Sequence, residues 1–448
     1  MTIAAHTFGC KLNYAETSDL LRRLAADGNT VVEWDHRADL YIVNTCTVTA
    51  VAEKKCRNAI RQAHRQNPDA QIVVIGCFAQ VAAPEIEQIP GVTLVLGNDR
   101  KHMLPQIIRN EELEIRNSAT QSSDATITNS SLLIPNFQLQ YSGEDRTRTF
   151  FKIQDGCDYF CTYCAIPFAR GRSRSATIEE TLCMARRIAD SGAKEVVLTG
   201  VNTGTFGQQH GESFLDLLKG LDNIEGILRY RISSIEPNLL TDNIIDFVAH
   251  SRAFLPHFHI PLQAGSDHVL QLMHRRYDTA LYRAKLESVK AVMPDACIAA
   301  DIMAGFNGET EAEFQKTLEY VDSLPISYLH VFTYSDRPGT AALRLGEKIP
   351  VPVRHEHTAR LLELSERKHR AFIGSQLGKV RPVLWEEGER VKVKGETEGD
   401  SHLSPSTSYH MLGWTDNYIR ICRPYDDKLA NTIENITLTT DNILNVNE

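Results

Sequence analysis

Short apolar runs alternate with helical stretches over the first hundred residues. Helical spacing of apolar residues predicts helices at Ala15–Ala26 and Ala50–Gln66. The apolar runs that precede and follow them are Ile3–Phe8, Leu40–Val43, Ile72–Ile75 and Val92–Leu96. Strands that alternate with helices form parallel βαβ units. The pattern therefore predicts an N-terminal doubly wound α/β domain over residues 1–110.

Residues 111–145 have a different character. The stretch NSATQSSDATITNSS is polar, rich in small residues and without periodicity. Such composition is typical of a linker. We predict that this segment separates the N-terminal domain from the rest of the chain.

A second series of strands and helices occupies residues 146–373. Helical stretches such as Ile178–Ser191 and Thr310–Ser323 separate the apolar runs, and a longer helix over Val353–Ile373 closes the region. The predicted strands are Phe150–Gln154, Glu195–Thr199, Arg229–Ile235, Phe254–Leu262, Ile298–Phe306 and Tyr328–Tyr334. Since a complete TIM barrel has eight βα units, this series predicts a partial, TIM-like (βα)6 barrel.

The pattern becomes all-β from Gly378 onward. The predicted short strands are Val380–Leu384, Val391–Val393, Tyr409–Leu412, Asn417–Ile421 and Ile436–Thr439. Turn residues separate them, which favours a small five-stranded barrel of the oligonucleotide-binding kind over residues 374–440.

The composition narrows the class of protein. The formal net charge is −9, which argues against a general nucleic-acid coat protein, so that RNA would have to meet a local basic patch. Ten cysteines in 448 residues are too sparse for a disulfide scaffold. The N-terminus lacks the pattern of a signal peptide, and no apolar run approaches the ~20 residues of a membrane span. We expect a cytoplasmic protein without a membrane partner.

The strongest motif is Cys157-x3-Cys161-x2-Cys164, directly after the first strand of the predicted barrel. Barrel enzymes place their chemistry at the carboxyl ends of their strands. Three thiolates on a short loop suit three irons of a cubane iron–sulfur cluster, which leaves one iron open for a small molecule. The alternatives are a zinc knuckle without its fourth ligand, or three unrelated thiols.

A second group of cysteines is spread along the sequence. Cys10, Cys46 and Cys77 each follow a predicted strand of the N-terminal sheet. The carboxyl ends of parallel strands share one edge, so these side chains can converge on a common metal site. The alternative is that they are small core residues, as buried cysteines often are. We interpret the remaining four cysteines, at positions 56, 183, 297 and 422, as core or surface thiols.

These features together resemble the radical S-adenosylmethionine (SAM) methylthiotransferases. That family combines an N-terminal domain with three cysteines, a radical SAM core with CxxxCxxC, and a C-terminal TRAM domain. Within it, the sequence is most similar to the MtaB type, on the stretches TFGCKLN, RISSIEP, HIPLQAGSD and GWTDNYIRI. The isopentenyladenosine type usually reads GCQMN, whereas Lys11 and Leu12 follow Cys10 here.

The resemblance implies a transferase that inserts a methylthio group at C2 of N6-threonylcarbamoyladenosine-37 of tRNA. It implies two 4Fe-4S clusters, one held by Cys157, Cys161 and Cys164, and an auxiliary one held by Cys10, Cys46 and Cys77. Two SAM molecules would be used: one gives a deoxyadenosyl radical that abstracts the C2 hydrogen, and the other methylates the sulfur. A one-electron donor such as flavodoxin or ferredoxin is also implied.

SAM requires contacts beyond iron, and the ends of the barrel strands are the expected place for them. The alternative for each such residue is a polar group that satisfies its own turn. The predicted SAM-binding residues are Gly200, Asn202, Ser234, Glu236, Gln263 and Asp301. We interpret His257 and His259 as hydrogen-bonded barrel histidines rather than as metal ligands.

The anticodon loop of tRNA requires a basic surface. Residues 146–174 hold six basic and two acidic side chains. The predicted RNA contacts there are Arg146, Arg148, Arg170, Arg172 and Arg174. Arg170, Arg172 and Arg174 follow the cysteine loop directly, so some of these three could instead fix that loop or the SAM carboxylate. In the C-terminal domain the predicted contacts are Lys392, Trp414 and Arg420, with packing between domains as the alternative.

Two other functions remain open at this point. The same chemistry could act on isopentenyladenosine-37 of tRNA or on an aspartate of a ribosomal protein. A non-catalytic iron–sulfur or zinc protein that binds RNA is the alternative from another class.

Overall fold

The computed structural model describes residues 1–110, 137–143, 147–386, 391–393 and 408–444. No helix in these ranges is both long and apolar enough to cross a membrane. Arg146 and most of the predicted linker lie outside the described residues.

The N-terminal unit is a five-stranded parallel sheet in the order β2-β1-β3-β4-β5. Its strands are β1 (Thr2–Thr7), β2 (Thr30–Val32), β3 (Leu40–Thr45), β4 (Gln71–Gly76) and β5 (Val92–Leu96). Its helices are α1 (Lys11–Ala26), α2 (Ala50–Gln66), α3 (Cys77–Val81), α4 (Ala83–Glu87) and α5 (Leu104–Arg109).

Both faces of this sheet are covered. Tyr41 and Val43 of β3 share an apolar cluster with Ile60 of α2. Leu40 and Ile42 belong to a second cluster that includes Leu20 and Leu24 of α1. Because side chains alternate between the two faces of a strand, these clusters lie on opposite sides. This arrangement is the predicted doubly wound domain.

The second α/β unit contains the six predicted parallel strands. These are β7 (Arg148–Lys152), β10 (Glu195–Thr199), β11 (Arg229–Ile232), β12 (His257–His259), β13 (Cys297–Ala304) and β14 (Tyr328–Thr333). Shorter strands are β6 (Gln140–Tyr141), β8 (Gln154–Asp155) and β9 (Arg174–Ser175). The helices are α6 (Ile166–Arg170), α7 (Ile178–Asp190), α8 (Phe214–Asp222), α9 (Asp242–His250), α10 (Asp267–Leu272), α11 (Thr279–Val292), α12 (Glu311–Ser323) and α13 (Val351–Gln376).

The six strands form one curved wall. One sheet has the order β11-β10-β7-β6 and the other the order β12-β13-β14. Parallel bridges between Tyr230 and Phe254, and between Ser234 and His259, connect the two sheets. Strand β6 pairs antiparallel with β7. Because the predicted linker extended to residue 145, this strand lies within it, and the linker is shorter than predicted. With only two residues, β6 is too short to show a periodic pattern.

The C-terminal unit is an antiparallel sheet. Its strands are β15 (Val380–Trp385), β16 (Val391–Val393), β17 (Ser408–Thr415), β18 (Arg420–Pro424) and β19 (Ile433–Thr437). Strand β17 pairs with β15, β16 and β18, and β15 also pairs with β19. Val383, Trp385 and Ile421 pack there against Phe372 of α13. Each predicted strand has a counterpart, but β18 begins three residues later and β19 three residues earlier than predicted. The described residues form an antiparallel sheet, and its closure into a barrel stays a prediction.

Charged side chains at the first residues of the barrel strands dock the C-terminal unit. Arg231 donates hydrogen bonds to the backbone oxygens of Thr415 (2.7 Å) and Asp416 (2.8 Å). Arg229 donates to the backbone oxygen of Trp414. The buried Glu195 carboxylate pairs with both arginines, at 2.7 Å and 2.9 Å. The loop after β17 therefore covers the amino-terminal end of the barrel.

Candidate active site

The first cysteine triad lies along one edge of the N-terminal sheet. Cys10 directly precedes α1, Cys46 follows β3, and Cys77 is the first residue of α3 after β4. Gly9 has a φ of +99°, and a Cβ there would lie 3.1 Å from Cys46 Sγ. Glycine therefore permits the Cys10 loop to approach Cys46 closely. Cys77 and Cys10 both lie near enough to Cys46 to disfavour its ionisation, and the joint role of the three as cluster ligands stays a prediction.

The environment of this triad fits a metal cluster. Burial, followed by the neighbouring Cys77 and Cys10, raises the pKa of Cys46 to about 12. Thiols that disfavour one another's ionisation become stable thiolates when a cation binds them. The side-chain amide of Asn98 donates to Cys77 Sγ at 3.5 Å. Since all ten cysteines are free, the three thiols are available as ligands.

The second triad lies on the loop between β8 and α6. Gly156, at a φ of +72°, lets this loop pass so close to the backbone of Arg172 that a Cβ would clash with the Arg172 carbonyl oxygen. The backbone N–H of Cys164 donates to the carbonyl of Cys161 at 3.0 Å. Burial raises the pKa of Cys157 to about 12. This donor set also fits three irons of a cubane cluster.

Arg275 connects this triad to a predicted SAM residue. Its guanidinium donates to Cys161 Sγ at 3.1 Å and forms an ion pair with Glu236. Burial raises the pKa of Glu236, and Arg275 opposes that effect. Nothing in the sequence pattern around Arg275 had singled it out.

Gln154, the first residue of β8, holds the same cysteine loop in position through its side-chain amide. Its side-chain N–H groups donate to the carbonyls of Asp155 (3.0 Å) and Gly156 (2.8 Å). Its oxygen accepts from the backbone N–H of Asn202 at 2.9 Å. Asn202 is buried, and neither atom of its side-chain amide has a hydrogen-bond partner among the described residues. Such an unpaired amide fits its predicted role toward a ligand.

Two adjoining cavities lie between the triads. The larger, which we name the lumen cavity, has a volume of about 420 Å³ and is lined by Cys10 and by the predicted Gly200, Ser234 and Asp301. The smaller, of about 190 Å³, is lined by Cys164, Gln263 and again Asp301. The lumen cavity lies within the usual size range of small-molecule sites. Because Asp301 and Phe332 line both, the two cavities are neighbours.

Histidines of the barrel strands line the lumen cavity. His259 contacts Asp301 through its Nε2, at 2.7 Å. Burial alone would raise the pKa of Asp301, but His259 and His330 hold it below its ordinary value. The expected hydrogen bond is present for His259 and absent for His257. Both ring nitrogens of His257 are buried without a partner in the described part of the chain, and its ring lies 4.3 Å from that of Tyr418, between centroids.

The structure corrects the RNA prediction for Arg170. This side chain is buried and forms ion pairs with Glu16 and Asp155. Arg174 also pairs with Asp155, at 3.1 Å, and its side chain is 10% exposed. Only tertiary contacts reveal this role, because helix α6, which ends at Arg170, and strand β9, which begins at Arg174, are too short to show a periodic pattern. Arg172 remains 60% exposed.

The C-terminal residues of the RNA prediction have mixed outcomes. Arg148 pairs with Glu386 at 3.0 Å and stacks on the Trp414 ring at 4.6 Å. Tyr418 stacks on the same ring, so the structure gives Trp414 and Arg148 the alternative role of packing between domains. Arg420 lies 5.5 Å from the Trp414 ring. Lys392 is placed only by its backbone, opposite Tyr409 in the sheet.

Models of two protein families match this chain. The model of uncharacterized protein family UPF0004 matches residues 2–97, which contain the first triad. The radical SAM superfamily model matches residues 151–321, which contain the second. The structure of the radical SAM methyltransferase TsrM from Kitasatospora setae has a similar fold, with a TM-score of 0.54 and 14% identity over 74% of this chain and 72% of that chain. Fold and site therefore define a radical SAM enzyme, which uses SAM, a 4Fe-4S cluster and a reductant.

Curated relatives narrow the family. The threonylcarbamoyladenosine tRNA methylthiotransferase MtaB of Bacillus subtilis (strain 168) is 38% identical over 94% of this chain and 90% of its own length. A tRNA-2-methylthio-N(6)-dimethylallyladenosine synthase of Nitratidesulfovibrio vulgaris (strain DP4) is 34% identical, with 89% of both proteins covered. The chain belongs to the radical SAM methylthiotransferases, of the MtaB type.

Proposed function

We propose that this enzyme inserts a methylthio group at C2 of N6-threonylcarbamoyladenosine-37 in tRNA, with two SAM molecules and two 4Fe-4S clusters. One observation carries the proposal: Cys10 of one triad and Cys164 of the other line two adjoining cavities that share Asp301. A radical-generating site and a sulfur-donating site must both reach the same adenine. The MtaB names of several relatives support this choice of substrate.

The two cysteine triads would have different roles. Cys157, Cys161 and Cys164 would hold the cluster that binds SAM, and Cys10, Cys46 and Cys77 the auxiliary one. When bound, the clusters supply the electron that cleaves SAM and the sulfur that is transferred. Asn202 offers unpaired amide atoms to SAM.

Binding of tRNA would involve the surface beside the second triad and the C-terminal unit. We assign Arg172 to phosphate contacts, with Lys392 and Arg420 as further candidates. The antiparallel C-terminal sheet supports a TRAM domain, and flavodoxin or ferredoxin suits the role of reductant. A tRNA substrate also agrees with the cytoplasmic location predicted from the sequence.

The domain limits predicted from the sequence are 1–110, 146–373 and 374–440. We propose that the second domain begins instead at β6, where the linker ends. A second candidate substrate is dimethylallyladenosine-37 of tRNA, because relatives that are named for it match most of the chain. The polar side chains that line the lumen cavity favour a polar substituent on N6 of the adenosine over an apolar one.

Mass spectrometry of tRNA nucleosides tests the substrate. In a strain from which the gene has been deleted, the methylthio derivative of threonylcarbamoyladenosine should disappear and return on complementation. Persistence of this nucleoside, with loss of the dimethylallyl derivative, would support the second candidate instead. An unchanged nucleoside profile would contradict both.

Single-triad variants test the assignment of the clusters. After anaerobic reconstitution, Cys46→Ala and Cys161→Ala should each lose about four irons, as expected for a cubane. Cys46→Ala should still form deoxyadenosine from SAM and reductant, without methylthiolation. Cys161→Ala should form none. Cys183→Ala, which changes an exposed cysteine outside both triads, is the matched control.

A further inference from the structure

The lumen cavity has a wall of polar groups that lack protein partners. Thr199 and Ser233 are at least nine-tenths buried, and their hydroxyls have no hydrogen-bond partner among the described residues. The same holds for both ring nitrogens of His257, which is 5% exposed. All three residues line the lumen cavity. Buried polar groups without partners are costly, so this wall is built to receive a polar ligand.

The wall also carries a lysine. Lys11 lines the cavity next to Cys10, and its side chain makes no hydrogen bond or salt bridge with the residues that the structure describes. Burial lowers its pKa, as do Arg148 and Arg231, whereas Tyr418 and Glu195 favour the charged ammonium. The one acidic residue on the described wall, Asp301, is already bonded to His259. The cavity therefore suits a ligand with a carboxylate and additional hydrogen-bonding groups.

We propose that Lys11 binds the carboxylate of the threonylcarbamoyl group, and that Thr199, Ser233 and His257 bind its hydroxyl and urea. The inference rests on the proposed function and identifies how the substrate is selected. In adenine, C2 and C6 are both bonded to N1, so that a substituent on N6 lies on the same edge as C2. A group held by Lys11 thus places C2 beside Cys10, which lines the same cavity.

The same wall disfavours a dimethylallyl group. An apolar substituent would leave the Lys11 ammonium, two hydroxyls and an imidazole without partners after excluding water from them. Sites that are built to hydrogen-bond a polar group reject analogues that lack it far more strongly than apolar pockets reject a hydroxyl.

Binding of anticodon stem-loop RNA to the reconstituted holoenzyme tests this proposal. Three RNAs that differ only at position 37 carry adenosine, threonylcarbamoyladenosine, or its methylamide, in which the carboxylate is neutral. Wild-type protein should prefer the carboxylate form to the other two by about ten- to hundredfold, as expected for a charge-assisted hydrogen bond. Lys11→Gln should reduce this preference to near one, and Lys11→Arg should restore most of it.

The controls separate this proposal from a general loss of function. Lys54→Gln changes an exposed lysine on α2 and should retain the full preference. The affinity for SAM is measured in the same variants, because a role of Lys11 toward SAM would weaken SAM binding without changing the RNA preference. An unchanged preference in Lys11→Gln, or weaker SAM binding with an unchanged preference, would overturn the proposal while leaving the proposed function intact. If the wild-type enzyme does not modify threonylcarbamoyladenosine at all, the proposed function itself fails.

Discussion

Arg170 donates two hydrogen bonds to the carboxylate of Glu16, each at 3.1 Å. The arginine ends the helix that follows the second cysteine triad, and the glutamate lies on the helix that follows Cys10. Arg170 also donates to the side chain of Asn13, whose amide in turn donates to the carbonyl of Thr45, the residue before Cys46. This buried contact therefore fixes the position of one triad relative to the other.

Further charges extend the contact into a network. Lys101 and Lys152 both pair with Glu16, and Lys152 and Arg174 pair with Asp155. With Arg170, four cations thus surround two carboxylates. Arg170 also lies near Cys77 and Cys10, whose thiolates would raise its pKa further. The excess positive charge is suited to balance a cluster held by anionic thiolates.

Replacement of Arg170 by Met should destabilise the protein strongly. Breaking a buried ion pair by removing one partner costs about 3–5 kcal/mol, because the remaining charge stays buried. Urea denaturation of the apo-protein measures the change in the free energy of unfolding. Arg172→Met, which removes an exposed arginine two residues away, should stay within about 0.5 kcal/mol of wild type. Equal effects would show that the network does not hold the two units together.

The pH dependence of stability should reflect Glu195. Burial raises its pKa, but Arg231, Arg229 and Arg148 together lower it to about 2. The folded-state pKa lies below the unfolded-state pKa of about 4.5. The ionised carboxylate therefore stabilises the protein above pH 4.5, and this stabilisation is lost as the pH falls toward 2. By pH 3 the loss should amount to roughly 2 kcal/mol. Urea titrations between pH 7 and pH 3 should show a smaller decline for Glu195→Gln than for wild type, and parallel curves would contradict the assignment.

The strands and the convergence of the cysteines could be predicted because both follow from local rules. Parallel strands end at one edge of a sheet, so a cysteine after each strand is enough to place Cys10, Cys46 and Cys77 together. The roles of the arginines could not be predicted in this way. Arg170 and Arg172 differ in burial only because Glu16, 154 residues away from Arg170 in the sequence, packs against one of them. Contacts of this kind leave no periodic signal.

Arg275 should tune the cluster held by the second triad. Its hydrogen bond to Cys161 Sγ withdraws electron density from a ligating sulfur, and such bonds help to set cluster potentials. Arg275→Met should therefore shift the reduction potential of that cluster to a more negative value. Redox titration followed by electron paramagnetic resonance measures this shift, in a Cys46→Ala background that contains only this cluster. Phe168→Leu, at an exposed site on α6, should leave the potential unchanged.

Arg172 should contribute to tRNA binding, since its side chain is exposed beside the second triad. Its present partner, Asp158, is itself 41% exposed and lies 3.3 Å away. Surface pairs of this kind are weak, so a phosphate can compete for the guanidinium. Arg172→Glu should weaken tRNA binding and reduce the slope of log affinity against log salt concentration by about one.

Lys428→Glu is the matched charge reversal for this test, because Lys428 is exposed on the C-terminal unit and far along the chain from both triads. Filter binding at several salt concentrations gives the affinity and the salt slope for both variants. The affinity of Lys428→Glu should remain close to wild type, because a charge that contacts no phosphate releases no counterion. Equal losses in the two variants would mean that Arg172 acts only through the overall charge of the protein, and that the RNA surface lies elsewhere.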